Sequence, residues 1–100
     1  MRKDIPGKIR YWLMVIKKRY MPERMILFGS IPRGDVHKGS DIDIILIKKT
    51  DKRFLDRIAD VMKIYTGTIA IDPIVYTSEE FEMMKKSPFI KKVLKEGLEL

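Results

Sequence analysis

The sequence predicts an α/β (α+β) fold, a small mixed sheet of about three to four strands with helices packed on it. Short apolar runs rich in Ile, Leu and Val occur at Met25–Phe28, at Ile44–Ile47 and around Asp72, too short for helices and bounded by turn residues. Around these runs apolar residues recur at three- and four-residue steps, the period of a helix with one buried face. A chain of 100 residues can build one such sheet but not two cores, so residues 1–100 are expected to form a single domain. No internal repeat, low-complexity segment or linker is visible.

Taken in order, Ile5, Ile9, Leu13, Ile16 and Tyr20 line a first amphipathic helix that Pro22 stops. Trp12 lies beside that stripe, where an aromatic belongs to the core or to a partner interface rather than to a base-stacking platform. Met25–Phe28 is a buried strand, and the chain after Gly29 and Ser30 is suited to a helical turn. In the second strand successive side chains alternate, so Asp41 and Asp43 share a face while Ile42 and Ile44 meet the opposite layer.

Phe54, Ile58, Val61 and Tyr65 line the next helix, which ends before Gly67. A third strand carries Asp72, and Pro73 beside it cannot donate to a ladder, which implies an edge position or an interruption. Thr77 and Glu80 form a capping-box pattern that opens a helix through about Lys86. Ser87 and Pro88 start a final helix whose Ile90, Val93, Leu94 and Leu98 form one face for the sheet or for another subunit.

The formal charge of +7 allows an electrostatic attraction to nucleic acid, to an acidic protein or to a nucleotide. The pairs Lys17–Lys18, Lys48–Lys49, Lys85–Lys86 and Lys91–Lys92 fall on helices or strand ends, where charge runs are ordinarily solvated faces, so nucleic acid is possible but not favoured. With no cysteine, disulfides and thiolate metal sites are excluded. No uncharged apolar stretch is long enough to span a bilayer, and the first residues do not read as a signal peptide. A cytoplasmic protein without a membrane partner is expected. The absence of Asn and Gln beside abundant Lys, Arg and Glu points to a hot environment, although the seven Met residues run against that trend.

The chemistry concentrates between residues 27 and 46. Positions 31–40 separate Gly29–Ser30 from the triplet Asp41–Ile42–Asp43. Two carboxylates on one face repel each other unless a cation intervenes, and Mg²⁺ favours one or two carboxylates together with phosphate oxygens. Gly29 lets the backbone approach a ligand, Ser30 offers a hydroxyl, and Arg33 followed by Gly34 adds a planar cation at a permissive turn. Gly29, Ser30, Arg33, Asp41 and Asp43 are therefore the nucleotide-binding candidates. His37 reads as an exposed loop residue, and Asp35, Asp51, Asp56 and Asp60 as loop or helix-surface charges.

With these motifs, the stretch Leu27–Leu46 resembles the nucleotidyltransferase superfamily of DNA polymerase beta, and the chain looks most like its minimal nucleotidyltransferases. The resemblance implies a polymerase-beta-like fold and places the third family carboxylate on Asp72, within Ile69–Phe81. It implies two Mg²⁺ ions at Asp41, Asp43 and Asp72, ATP as the nucleoside triphosphate, and in-line attack of a hydroxyl on the α-phosphate. Many such proteins are antitoxins encoded beside a toxin with a higher-eukaryote-and-prokaryote nucleotide-binding domain, whose tyrosine they adenylylate. A cognate toxin is thus the implied partner. The alternatives are a catalytically weak nucleotide-binding module that neutralises its partner by contact, and transfer to RNA or a small molecule. Ile31 departs from the basic residue that often follows Gly–Ser in the family, and Pro32 is unusual there. Oligomerisation is possible, through Trp12 or the last helix.

Overall fold

The three apolar runs pair into one sheet, and a fourth, very short strand completes it. The computed structural model describes residues 5–36 and 39–100. In chain order the elements are α1 (Gly7–Tyr20), β1 (Arg24–Phe28), α2 (Ser30–Arg33), β2 (Ile42–Ile47), α3 (Phe54–Ile64), β3 (Ile71–Tyr76), α4 (Ser78–Met84), α5 (Pro88–Glu96) and β4 (Leu98–Glu99). The spatial order of the strands is β3–β2–β1–β4. β1 runs antiparallel to β2 and β4, whereas β2 and β3 are parallel, with α3 as the crossover between them. The mixed sheet expected from the sequence is thus present.

β2 is buried on both faces, which is why it reads as a continuous apolar run rather than an alternating one. Its Ile42, Ile44 and Leu46 join Ile9, Leu13 and Ile16 of α1 and Val61 of α3 in one cluster. Ile45 and Ile47 face the other way, with Phe81 of α4 and Ile90 and Val93 of α5. The expected stripe is buried at all five positions, with Ile9, Leu13, Ile16 and Tyr20 on α1 and Ile5 just ahead of its first residue. α1 ends where Met21 turns left-handed at φ 56°, one residue before Pro22. Trp12 is half-buried and meets the rings of Tyr65 and Tyr11 edge-on, with centroids 5.0 and 5.3 Å away.

Pro73 sits on an edge strand, as its missing donor requires. The carbonyls of Ala70 and Tyr76 accept from Ile42 and Lys48 of the β2 side. Even-numbered residues of β3 therefore bond inward, and Ile71, Pro73 and Val75 turn their backbone polar groups outward. The Val75 carbonyl accepts instead from Arg57, 3.2 Å away.

Two expectations are corrected. Leu98 does not continue the last helix: α5 stops at Glu96, and Leu98 pairs with Leu27 as part of β4. That pairing is locked by Arg24, whose guanidinium donates twice to the Glu99 carboxylate at 2.8 Å each. Phe54 is 43% exposed rather than buried, because the inward side of α3 is taken by Arg57. Arg57 donates to the carbonyls of Lys52 and Val75 and forms a two-pronged pair with Glu80 at 2.6 and 3.3 Å. Glu80 at the same time closes the capping box on α4, accepting from the Thr77 amide at 2.7 Å while Thr77 accepts from the Glu80 amide. Ser87 caps α5 through the Ile90 amide, at 3.1 Å.

Candidate active site

Strand register gathers the acidic residues. Asp43 lies opposite Phe28 across the antiparallel ladder and opposite Asp72 across the parallel one. Because Ile42 and Ile44 are committed to the α1–α3 core, Asp43 stands on the other face, toward α4 and α5. Asp41 precedes the strand and is exposed, as is Asp72, while Asp43 is half-buried. Burial pushes the Asp43 carboxyl above its usual range, and the charges of Asp72 and then Asp41 push in the same direction. Each effect penalises the ionised form, as burial and neighbouring carboxylates do.

Such a set suits a hard cation with oxygen ligands. Among the described residues no three Asp, Glu or His side chains already converge as a metal cage. Asp41, Asp43 and Asp72 are the residues that could hold a hard cation; Mg²⁺, for one, uses one or two carboxylates and keeps the rest of its shell for water and phosphate oxygens.

Gly29 forms the opposite wall. Its φ of 81° and ψ of −148° lie in a region that is essentially reserved for glycine. A Cβ there would also fall 2.5 Å from Asp43 Oδ2, so the residue is kept small by the carboxylate itself. Ser30 opens α2, and its hydroxyl donates to Ser40 Oγ at 3.2 Å, tying the Gly–Ser turn to the residue that precedes Asp41. Ser40 is buried and was not among the candidates, because a serine in a polar loop has no distinguishing pattern in sequence. Ile31 and Pro32 are buried beneath the turn. Their apolar character is explained by packing, and they present no side chain to a ligand. Pro32 also subtracts one amide from the first turn, so Ser30, Ile31 and Arg33 carry the only backbone donors there.

Arg33 is half-exposed and makes two long ion pairs, 3.5 Å to Asp35 and 3.8 Å to Glu96. Gly34 at φ 85° ends α2, its amide donating to the Ile31 carbonyl. Asp41 borders a groove of about 490 Å³ lined also by Lys8, Ile9, Val36, Ser40 and Ile69. His37 lies outside the described residues. Asp60 is a surface charge as expected, paired with Lys52 at 2.6 Å.

Known proteins match both the sequence and the fold. Residues 10–100 match the model of the nucleotidyltransferase domain. A protein of Methanocaldococcus jannaschii named "putative protein adenylyltransferase" is 31% identical over 91 residues, covering 89% of this chain and 90% of that protein. The crystal structure of a "putative nucleotidyltransferase" from Sulfolobus solfataricus shares the fold with a TM-score of 0.58 at 24% identity, covering 99% of this chain and 87% of the other. No helix among the described residues is long and apolar enough to cross a membrane. With the domain model spanning residues 10–100 and the paired aspartates standing beside the Gly29–Ser30 turn, the chain belongs to the nucleotidyltransferase family.

Proposed function

We propose that the protein transfers AMP from ATP to a tyrosine hydroxyl of a cognate toxin, and so acts as an antitoxin. The observation that carries the transfer reading is the register that sets Asp43 beside Asp72 and against Gly29. The name of the Methanocaldococcus relative supports a protein acceptor. The groove bordered by Asp41 supports an aromatic one, since Val36 and Ile69 among its lining residues offer a ring apolar contacts.

In this reading Asp41, Asp43 and Asp72 would hold two Mg²⁺ ions, which would neutralise the triphosphate and lower the pKa of the acceptor hydroxyl. Ser30, the amides around it and Arg33 hold the β- and γ-phosphates, which sets the α-phosphorus beside the aspartates for in-line attack. The acceptor oxygen attacks phosphorus, the bond to the bridging oxygen breaks, and pyrophosphate departs on the far side. Asp72, exposed at the strand edge, accepts the hydroxyl proton.

The test is transfer of label from ATP marked on the α-phosphate, with Mg²⁺, to the protein encoded by the neighbouring gene. Label on a tyrosine of that protein with wild type, and none with Asp43→Ala, is the expected result. A tight complex with no label would instead assign neutralisation by contact, and labelling by Asp43→Ala would refute the site.

A further inference from the structure

α5 carries a stripe of residues three and four apart that faces the turn after β1. Phe89, Lys92 and Glu96 form one wall of a groove of about 210 Å³, and Phe28, Gly29 and Arg33 form the other. Gly29 is the hinge between this groove and the aspartates, since the same residue abuts the Asp43 carboxylate. Arg33 and Lys92 thus line a groove that adjoins the aspartate side of the site through Gly29.

The charge arrangement suits a phosphate chain. Arg33 is held by carboxylates only at 3.5 and 3.8 Å and is 41% exposed, and pairs of that kind are weak. Lys92 makes no ion pair among the described residues. The groove thus contains two cations and one loosely engaged carboxylate, Glu96. The two walls meet in the edge-to-face pair Phe28–Phe89, with centroids 5.6 Å apart.

We propose that Lys92 is a ligand of the terminal phosphates, standing opposite Arg33 and holding the pyrophosphate as it departs. Glu96 occupies Arg33 until a phosphate displaces it, because a guanidinium engages phosphate in a two-pronged, charge-assisted geometry that the long Glu96 contact lacks. The proposal rests on the nucleotidyl-transfer reading and adds to it a residue outside the Gly–Ser and aspartate motifs.

Calorimetric titration of tripolyphosphate and of AMP, each with Mg²⁺, tests it in wild type, Lys92→Met, Lys92→Arg and Lys91→Met. Lys91 is exposed on the same helix but does not line the groove, so it controls for the lost charge. Lys92→Met is expected to weaken tripolyphosphate by about 10-fold and AMP by less than about twofold, with Lys92→Arg recovering most of the loss. Unchanged tripolyphosphate binding in Lys92→Met overturns the proposal, as does an equal loss in Lys91→Met. An AMP loss as large as that of tripolyphosphate would also overturn it, by assigning the groove to the nucleoside. If wild type binds neither compound, the transfer reading fails and the proposal with it.

Discussion

The carboxylate of Asp43 fills the space in which a side chain at Gly29 would begin, 2.5 Å from the position of its Cβ. The two residues come from neighbouring strands, Gly29 just past the end of β1 and Asp43 near the start of β2. One glycine therefore answers both a backbone demand, φ 81°, and a steric demand made by the charge beside it.

Gly29→Ala is expected to cost about 3 kcal/mol of stability, combining the strain of a positive φ with the contact against Asp43. In an Asp43→Ala background the same change should cost about 1 kcal/mol less, because only the backbone strain persists. Urea denaturation of the four proteins of this cycle measures the coupling, and strict additivity would show that the contact relaxes without cost.

Asp43→Asn should lower Mg²⁺-dependent transfer by at least about 100-fold without unfolding the protein. Its effect on stability has the opposite sign. The folded Asp43 carboxyl is raised above its ordinary value, by burial first and by Asp72 and Asp41 second, so its contribution to stability is present in acid and lost as pH rises through the folded pKa. At neutral pH without Mg²⁺, Asp43→Asn is expected to melt a few degrees higher than wild type; a lower Tm would contradict the crowded-carboxylate description.

Glu80 behaves in the reverse way. Its carboxyl is held below its ordinary value of 4.5, by Arg57 first and the Thr77 amide next, so it stabilises the fold above that value and ceases to as pH falls through the lowered folded pKa. Glu80→Gln should cost about 1 kcal/mol at pH 7, a figure reduced by the exposure of this side chain to solvent, and almost nothing at pH 2. Chemical denaturation at the two pH values distinguishes the charge from the cap. Removing the buried partner is harsher: Arg57→Met should cost about 2–4 kcal/mol, since it strands the Val75 carbonyl and the Glu80 carboxylate together.

The absence of Asn and Gln carries an expectation for heat resistance. A calorimetric Tm above the mesophile range of about 45–65 °C is predicted, and a transition within that range would remove the case for a hot environment.

What could be read in advance depended on whether the signal was local. The stripe of α1, the double burial of β2, the Thr77–Glu80 cap and the restart at Ser87–Pro88 are written in periods or fixed offsets, and each is found where those place it. Leu98 was misassigned because a two-residue strand has no period of its own, and its pairing with β1 depends on Arg24 and Glu99, 75 positions apart. The period places Phe54 in the core because a charged residue, Arg57, is not expected to hold the inward face of a helix. At the site, the Gly29–Ser30 and Asp41–Asp43 spacing marked the residues. The neighbourhood of Asp43 with Asp72, the Ser30–Ser40 contact and the groove between α2 and α5 arise from register and packing, which no stretch of sequence displays.

The outer margin of β3 also decides how another chain can approach Asp72. Pro73 offers no donor there, and the carbonyl of Val75 is already engaged by Arg57. One outward donor is therefore missing and one outward acceptor is taken, which weakens the margin as a template for an incoming strand and so for aggregation or β-augmentation. Under the proposed function, an acceptor protein would be recognised beside Asp72 by side-chain contacts rather than by adding a strand.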